Sequence, residues 1–402
     1  MSLLYEIGIV IQWVLLLYLG GSALYLFWFA FLSIFPLKNL PPVDLKKRRF
    51  AVLIPSYMED EVIFEVAEQA LQQNYPKDLY DVVVIADKFK TKTIQKLKQY
   101  PIILFNENFS ISTKTRALNY ALRLLPDNHY DVAVVLDADN LMEKDFLAKL
   151  NDAFSYPYQA IQCHRIAKNL NTNFAILDAI SEEINNNIFR KGHRKMGLSS
   201  ALIGSAMAFR YDFFKNLMKE VEVVGGFDKE LELRLLYNHH IIHYLDDAFV
   251  LDEKVQNVKV FSRQRRRWLS AQFHYFGKHF IPALKALISN GNIDYFNKAF
   301  QYIQLPRILL LGLLVLISFI SLFVNPLSLT ISWLTASFFI ISALFLATPL
   351  RFYNFRTLKA LLALPIGFAF MFLSLLSIRG ANKQFIHTKH TYNAFQIKKK
   401  DR

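Results

Sequence analysis

Two aspartates separated by a single residue, Asp137 and Asp139, are the residues of this sequence best suited to bind a metal ion. They directly follow an apolar run at residues 132–136, which predicts a buried β-strand. Two carboxylates at a strand end offer the oxygen ligands that Mg²⁺ or Mn²⁺ prefers, with positions left for water and diphosphate oxygens. The D-x-D pattern is also common in solvated turns. The position of this D-x-D at the end of a predicted strand favours the metal site over a turn.

Polar residues also follow three other apolar runs, at residues 50–54, 82–86 and 102–105. Continuous apolar strands that alternate with helical patterns predict a parallel sheet covered by helices on both faces. In such open sheets ligands bind beyond the carboxyl ends of the strands. Asp87 follows the second run, where it could contact a nucleobase or ribose, or cap a helix at residues 91–100.

Phosphate recognition would need a route other than a glycine-rich loop, because neither G-x-G-x-x-G nor G-x-x-x-x-G-K-[ST] occurs in the sequence. Lys114 precedes a predicted helix at residues 115–125, at the same edge of the sheet. It could meet a phosphate as a point charge or remain an ordinary exposed lysine.

Three acids open a predicted helix after Gly225 and Gly226: Asp228, Glu230 and Glu232. An acid at this place could remove the proton of an acceptor hydroxyl, or it could serve only the electrostatics of the helix terminus.

Four arginines and a tryptophan lie together at residues 262–268. Arginine can stabilise charge on a leaving diphosphate, and the face of Trp268 could carry a sugar ring. The alternative is a basic belt beside the membrane, which would not account for Gln264 or Trp268. A second basic segment, residues 190–195, predicts a surface loop.

Membrane segments are indicated by four uncharged stretches, at residues 7–35, 308–324, 327–348 and 360–378. Basic residues 46–49 follow the first stretch and predict that the chain after it faces the cytoplasm. We therefore expect an N-terminal anchor at residues 1–37, a cytoplasmic catalytic domain with interfacial helices at 38–300, three membrane segments at 301–380 and a basic tail at 381–402.

The charges around the last stretch conflict with a simple crossing. Arg351, Arg356 and Lys359 before it indicate the inside, and the basic tail after it also favours the inside. The residues before this stretch and the tail after it can both lie on the inside if residues 360–378, which contain Pro365, form a re-entrant segment.

Composition narrows the possible functions. The formal net charge of +14 suits a phosphate-bearing ligand, an anionic lipid surface or a nucleic acid, without choosing among them. The single cysteine, Cys163, excludes an internal disulfide framework and a cysteine-based zinc cluster. The uncharged stretches contain no Asp, Glu, Lys, Arg or His, which disfavours a stand-alone ion-coupled transporter.

Taken in order over about residues 50–270, these motifs resemble the membrane-bound family 2 glycosyltransferases with a GT-A fold, the group that includes cellulose, hyaluronan, chitin-oligosaccharide and poly-N-acetylglucosamine synthases. The resemblance rests on residues 52–59, Asp87, Lys114 with residues 117–119, the D-x-D, residues 204–210 and the Q-x-x-R-W pattern at residues 264–268. It implies an α/β fold with a mostly parallel central sheet, flanked by transmembrane helices.

The resemblance also implies a role for each site residue. The donor would be bound by Tyr57, Glu59, Asp87, Lys114 and Asp137, and the metal, Mg or Mn, by Asp137 and Asp139. The acceptor would be bound by Gly204, Ser205, Gln264 and Trp268. The base motif T-E-D reads Asp228-Lys229-Glu230, which makes Glu230 the catalytic base with Asp228 or Glu232 as substitutes, and Arg267 would act on the leaving group.

The implied activity is inverting transfer of a UDP-linked sugar to a glycan hydroxyl, in polysaccharide synthesis at the inner membrane. Because four apolar segments are few for a channel that carries a long polymer, four explanations stay open: pairing of two copies, an export partner, a short product or a single transfer to a lipid. A D-x-D phosphatase is disfavoured because its motif follows the first strand, and a non-catalytic membrane scaffold is the remaining alternative. No nucleic-acid partner is expected.

Overall fold

The computed structural model describes residues 2–38, 41–221, 223, 225–256 and 258–376 of the 402-residue chain. Its described part contains one sheet whose eight strands are β1 (Phe50–Tyr57), β2 (Tyr80–Asp87), β3 (Ile103–Glu107), β4 (Val132–Val135), β5 (Leu141–Met142), β6 (Ala160–Ala167), β7 (Met207–Arg210) and β8 (Ile242–Asp252). The four strands predicted for the first half of the sheet are confirmed as β1 to β4.

The sheet has the order β3-β2-β1-β4-β7-β6-β8-β5. Strands β1 to β4 run parallel to one another, and β6 and β8 are also parallel. The antiparallel exceptions are β7, which pairs with β4 and β6, and the short β5, which pairs with β8. The mostly parallel sheet predicted from the continuous apolar runs is therefore confirmed.

Fifteen α-helices are present in the described residues: α1 (Ser2–Ser33), α2 (Ile63–Ala70), α3 (Thr91–Leu97), α4 (Lys114–Leu124), α5 (Phe146–Ala153), α6 (Asn173–Asn185), α7 (His193–Lys195), α8 (Tyr211–Lys219), α9 (Phe227–Tyr237), α10 (Val258–Asn290), α11 (Ile293–Gln301), α12 (Arg307–Val324), α13 (Leu327–Ala347), α14 (Phe355–Leu361) and α15 (Leu364–Leu376). A π-helix at Asn186–Gly192 joins α6 to α7.

Both faces of the central strands are buried, because successive side chains of a strand point to opposite faces. Leu53 of β1 belongs to the core that includes α4 and α9, whereas its neighbour Val52 belongs to the core that includes α2 and α5. Both residues are 0% exposed. This double burial is why the strands read as unbroken apolar runs rather than as alternating patterns.

Among the described residues, three single helices are long and apolar enough to cross a membrane: α1 over Tyr5–Ser33, α12 and α13. They share a core that contains Leu26, Leu314 and Trp333. Residues Ile176 and Ile180 of α6 join the same core, so α6 attaches the globular part of the chain to these three helices.

The last predicted membrane segment is bent. Helices α14 and α15 meet at an angle of 42°, which is consistent with a broken span or a re-entrant segment. Pro365 is the second residue of α15, where a residue without an N–H is tolerated because the first N–H groups of a helix have no intrahelical acceptor. The basic tail lies outside the described residues, so its side of the membrane stays a prediction.

The surface loop predicted at residues 190–195 is wrong. Arg190 and Gly192 belong to the π-helix, His193 begins α7, and Arg190 and His193 are 2% and 1% exposed. Arg190 is held inside by an ion pair with Glu182 at 3.2 Å. The charge of Arg190 therefore belongs to a buried ionic network, whereas Lys195 of the same segment is exposed.

Candidate active site

A cavity of about 1340 Å³ opens beyond the carboxyl ends of β1, β2 and β4. Most of the predicted site residues line it: Tyr57, Glu59, Asp87, Lys114, Asp137, Asp139, Gly204, Gln264, Arg267 and Trp268. They come from the strand ends, the start of α4, the loop before β7 and helix α10. The fold thus brings residues from distant parts of the sequence to one space.

The strand register aligns residues that were expected near the nucleoside. Tyr57 of β1 is paired with Asp87 of β2, and Asp87 is paired with Glu107 of β3. Asp87 is 3% exposed, and its Oδ1 accepts a hydrogen bond from the backbone N–H of Phe109 at 3.3 Å. It does not cap α3, because Lys90 occupies that N-cap position.

Lys114 is the first residue of α4, and its side chain turns into the cavity. The N-cap of this helix is Thr113, whose Oγ1 accepts a hydrogen bond from the N–H of Arg116 at 3.2 Å. The ammonium group of Lys114 forms an ion pair with Asp137 and donates to the carbonyl oxygen of Gly204 at 2.6 Å. Lys114 therefore joins the D-x-D to the loop that precedes β7.

A third carboxylate, Asp252, joins the two aspartates of the D-x-D. Asp252 is the last residue of β8, and one carboxylate oxygen from each of the three lies within 4.8 Å of the others. Asn140 bridges two of them, because its Nδ2 donates to Asp139 at 3.2 Å and to Asp252 at 3.1 Å. Asp139 also accepts a hydrogen bond from the N–H of Glu253 at 2.8 Å. The three aspartates are called the carboxylate cluster below.

Buried cations lie against the carboxylate cluster. Lys254 lies 2.8 Å from Asp252, and Arg165 lies 3.3 Å from Asp252 and 3.0 Å from Glu182. Burial opposes the charge on Asp252, but the charges of Arg165 and Lys254 hold its pKa below the ordinary value. Burial likewise opposes the charge on Glu182, and the same two cations together with Arg190 lower its pKa. Asp252 and Glu182 are therefore anions at neutral pH.

The carboxylate cluster fits a hard divalent cation. Asp137, Asp139 and Asp252 supply carboxylate oxygens alone, which Mg²⁺ and Mn²⁺ both accept. Asn140 and the N–H of Glu253 fix the orientation of two of these carboxylates, as hydrogen bonds to metal ligands commonly do. The donor set does not distinguish the two ions.

Of the three acids at the start of α9, Asp228 lines the cavity. A Cβ added to Gly204 would lie 3.7 Å from the Cβ of Asp228, so Asp228 stands directly beside the loop that Lys114 contacts. Glu230, the predicted base, is instead directed at two cations, Arg234 at 2.9 Å and Lys278 at 3.3 Å.

Glu232 and Ser205 do not line the cavity, but each contacts a residue that does. Glu232 forms an ion pair with Lys298 at 2.7 Å. Ser205 is 0% exposed, and its hydroxyl accepts a hydrogen bond from Arg165 at 3.1 Å. Within the described residues, Asp228 therefore lines the cavity with the other predicted site residues, whereas Glu230, Glu232 and Ser205 do not line it.

Helix α10 contributes the Q-x-x-R-W residues to another wall of the cavity. The guanidinium of Arg265 lies 4.4 Å from the ring centre of Trp268 and donates to Asp178 of α6 at 2.7 Å. Trp268 remains 38% exposed, so part of its surface is open to a ligand. Burial lowers the pKa of the Arg267 guanidinium, whose ordinary pKa lies far above neutral pH.

Arg165 and Asp252 are cavity residues that sequence reasoning missed. Asp252 ends a strand in the same way as Asp87, and that position was the available signal. The strand was overlooked because β8 alternates buried and partly exposed residues instead of forming a continuous apolar run. No comparable signal marks Arg165, which lies within β6.

Comparisons with known proteins agree with this geometry. The sequence profile described as "Glycosyltransferase like family 2" matches residues 48–271, which contain the sheet and the Q-x-x-R-W residues. The "Probable glycosyltransferase YdaM" of Bacillus subtilis (strain 168) is 25% identical over 248 residues. That match covers 58% of this chain and 55% of the relative, so it spans little more than half the length of the relative.

Among solved structures, the mannosyltransferase PcManGT from Pyrobaculum calidifontis, in complex with GDP-Man and Mn²⁺, has a TM-score of 0.52 at 18% identity. The likeness covers 83% of this chain and 96% of that one, and it shows a shared GT-A fold. Because the family profile matches more than half of the residues, the chain belongs to glycosyltransferase family 2.

Proposed function

We propose that this chain is a membrane-bound, inverting glycosyltransferase that moves a sugar from a nucleotide diphosphate donor to an acceptor hydroxyl. The proposal rests on one observation: the carboxylate cluster and a further acid, Asp228, line the same cavity. The carboxylate cluster is joined through Lys114 to Gly204, and Asp228 lies beside Gly204. A site for a diphosphate and a candidate base thus share one space.

The nucleoside end of the donor is assigned to Tyr57, Glu59 and Asp87. These residues lie at the carboxyl ends of parallel strands, where open sheets bind ligands. We propose a UDP-linked sugar. Since the Pyrobaculum structure holds GDP-Man, the test includes sugar donors that carry guanine as well as donors that carry uracil.

The diphosphate end of the donor is assigned to the carboxylate cluster together with Lys114 and Arg267. A divalent cation held by the three aspartates, either Mg²⁺ or Mn²⁺, would supply positive charge against the diphosphate. Lys114 and Arg267 add two further cations that line the cavity and can stabilise the negative charge of the leaving group.

Asp228 is the base of the proposed reaction. It takes the proton of the acceptor hydroxyl, whose oxygen forms a bond to the anomeric carbon of the sugar. The bond from that carbon to the diphosphate breaks at the same time, and the nucleoside diphosphate leaves with the electron pair. Attack on the face opposite the leaving group inverts the anomeric configuration.

The acceptor sugar is assigned to Gly204, Gln264 and Trp268. Ser205 would hold the loop before β7 in place through its hydrogen bond with Arg165. The partly exposed Trp268 offers an aromatic surface for a sugar ring. Glu230, which the family resemblance implies as the base, is less suitable for that role because Arg234 and Lys278 already engage its carboxylate.

The membrane role is also part of the proposal. Helices α1, α12 and α13 would hold residues 38–300 at the cytoplasmic surface of the inner membrane. Basic residues that follow the first helix support this orientation.

A donor screen tests the proposed function. Membranes that contain the full chain are incubated with Mn²⁺ and each of a panel of UDP- and GDP-sugars, and release of nucleoside diphosphate is measured. We expect turnover with at least one donor, removal of that turnover by EDTA, and its loss in Asp139→Ala. Release that persists unchanged in Asp139→Ala would contradict the assignment of the metal site.

A further inference from the structure

The cavity continues from the carboxylate cluster into the group of apolar helices. Beyond the polar residues, its wall is formed by side chains from five helices that belong to the membrane part or attach to it. These side chains are Leu177 of α6, Leu311 of α12, Leu344 and Phe345 of α13, Leu358 of α14, and Met371 of α15. The same space thus has a charged end at the sheet and an apolar end among the helices.

The apolar end is open at its side. Phe345, Phe355 and Leu358 line the cavity, yet they are 59%, 80% and 60% exposed. Phe345 lies on α13, which is apolar enough to cross a membrane, and Phe355 and Leu358 lie on α14, which passes that test only together with α15. Large apolar side chains with this exposure would face lipid chains in a bilayer. In a membrane, this opening would connect lipid chains to the cavity that holds the carboxylate cluster.

Several described residues that line the cavity carry buried polar atoms without a hydrogen-bond partner, and three of these atoms concern the place where the charged and apolar ends meet. In the described part of the chain, Oε1 of Gln264, Nε2 of Gln304 and Nη1 of Arg307 are buried without a hydrogen-bond partner, and all three residues line the cavity. A buried polar group without a partner is costly. A ligand that supplies partners at this place would remove that cost.

The geometry of Arg307 favours an anionic partner. Its Nη2 donates to both the carbonyl and the hydroxyl oxygen of Ser181 at 3.1 Å, which fixes the guanidinium and leaves Nη1 available. No carboxylate among the described residues forms an ion pair with it, unlike Arg165, Arg190 and Arg265 nearby. The neutral donor of Gln304 suits the same anion, and a guanidinium binds phosphate oxygens well.

We propose that the acceptor is an amphiphile that enters from the bilayer: a lipid whose hydrocarbon chain occupies the apolar end and whose phosphate binds Arg307 and Gln304. A hydroxyl of its head group then lies near Gln264 and receives the sugar, with its proton passing to Asp228 and the nucleoside diphosphate leaving. This inference rests on the proposed function, and it selects the lipid acceptor over a soluble glycan.

Photolabelling tests the lipid site separately from sugar transfer. The full chain is placed in nanodiscs of phosphatidylcholine that contain a trace of phosphatidylglycerol with a diazirine on its acyl chain. Phosphatidylglycerol carries a hydrocarbon chain, a phosphate and free hydroxyls. A diazirine-bearing diacylglycerol, which has a hydroxyl but no phosphate, is the matched probe. Labelled peptides are identified by mass spectrometry.

We expect phosphatidylglycerol to label the peptides that contain Phe345 and Leu358 more strongly than diacylglycerol does. Arg307→Gln should reduce that labelling about tenfold, the effect of losing one hydrogen bond to a charged group. Arg356→Gln is the matched control, because Arg356 is exposed on α14 and does not line the cavity. It should label like the unchanged chain.

Two further measurements keep the result interpretable. Phe355→Glu places a charge at the exposed mouth of the apolar end and should reduce labelling without disturbing a buried residue. Soluble glycerol 3-phosphate should not compete, since it lacks the hydrocarbon chain. Equal labelling by both probes, unchanged labelling in Arg307→Gln, or displacement by glycerol 3-phosphate would overturn the inference.

The same nanodiscs are titrated with UDP and, separately, with GDP, each in the presence of Mn²⁺. Binding of UDP together with failed lipid labelling would refute the lipid site and leave the proposed function standing. Lipid labelling together with an absence of binding for both UDP and GDP would support the lipid site and count against the proposed function.

Discussion

The carboxylate of Glu230 accepts a hydrogen bond from Nε of Arg234 at 2.9 Å, one helical turn further along α9. Its other oxygen lies 3.3 Å from Nζ of Lys278 on α10. Burial alone would raise the pKa of Glu230, but the hydrogen bond from Arg234 and the charge of Lys278 lower it. A carboxylate engaged in this way is a weak base toward an acceptor hydroxyl, whereas Asp228 two residues earlier lines the cavity.

We therefore predict opposite outcomes for two conservative variants. Asp228→Asn should lower kcat by about 10² to 10⁴-fold, the usual contribution of a general base. Glu230→Gln should leave kcat near that of the unchanged enzyme. Initial rates of nucleoside diphosphate release under saturating donor measure both, and a large loss confined to Glu230→Gln would return the role of base to Glu230.

The contacts of Glu230 should instead appear in the pH dependence of stability. Because the pKa of Glu230 is lower in the folded chain than in the unfolded chain, its contribution is present above the unfolded pKa, about 4.3. It is lost as the pH falls through the folded value. The Tm difference between the unchanged chain and Glu230→Gln should therefore be largest near neutral pH and shrink in acid. A difference that stays constant from neutral pH into acid would refute this assignment.

Gly204 offers a test of the space between Asp228 and Lys114. Its φ of +87° disfavours any residue with a Cβ, and a Cβ here would lie 3.7 Å from Asp228. Gly197 has a φ of +83° but no neighbour within 4 Å of an added Cβ, and it does not line the cavity. The two glycines are thus matched in backbone conformation and differ in their surroundings.

Gly204→Ala and Gly197→Ala should both lose stability by about 1–2 kcal/mol, the cost of a left-handed conformation for an L-residue. Only Gly204→Ala should also reduce kcat, because its methyl group narrows the space beside Asp228. Thermal unfolding and initial rates on the same preparations separate the two effects. Equal rates for both variants would mean that reacting groups do not pass beside Gly204.

Much of the fold could be predicted from the sequence because its signal is local. The apolar runs that became β1 to β4 are buried on both faces, so each is continuous and recognisable. The second half of the sheet is different, since β7 runs antiparallel and β8 alternates buried with partly exposed residues. Its pairing depends on contacts between distant segments, which no local pattern reveals.

The site could be predicted in part for the same reason. Residues at the ends of β1, β2 and β4 are placed by strand direction alone, and they line one cavity. The choice among Asp228, Glu230 and Glu232 depends on how α9 is rotated against α10 and α11. Lys278 of α10 pairs with Glu230, and Lys298 of α11 pairs with Glu232. Both lysines lie far from the acids in the sequence, so the residues around the motif do not indicate these pairs.

The buried arginines show a similar limit. Arg190 and Arg165 lie far apart in the sequence, yet both form ion pairs with Glu182 in the interior. A basic run is usually solvated, so its burial follows only from the tertiary partner that compensates the charge.

Binding of UDP to the purified full chain, titrated with and without Mn²⁺, tests the central claim most directly. That claim is that Asp137, Asp139 and Asp252 hold a divalent cation where the donor diphosphate binds. We predict that UDP binds with Mn²⁺, that EDTA abolishes the binding, and that Asp139→Asn weakens it strongly while the fold, judged by thermal unfolding, persists. UDP binding of equal strength in EDTA and in Asp139→Asn would contradict the account.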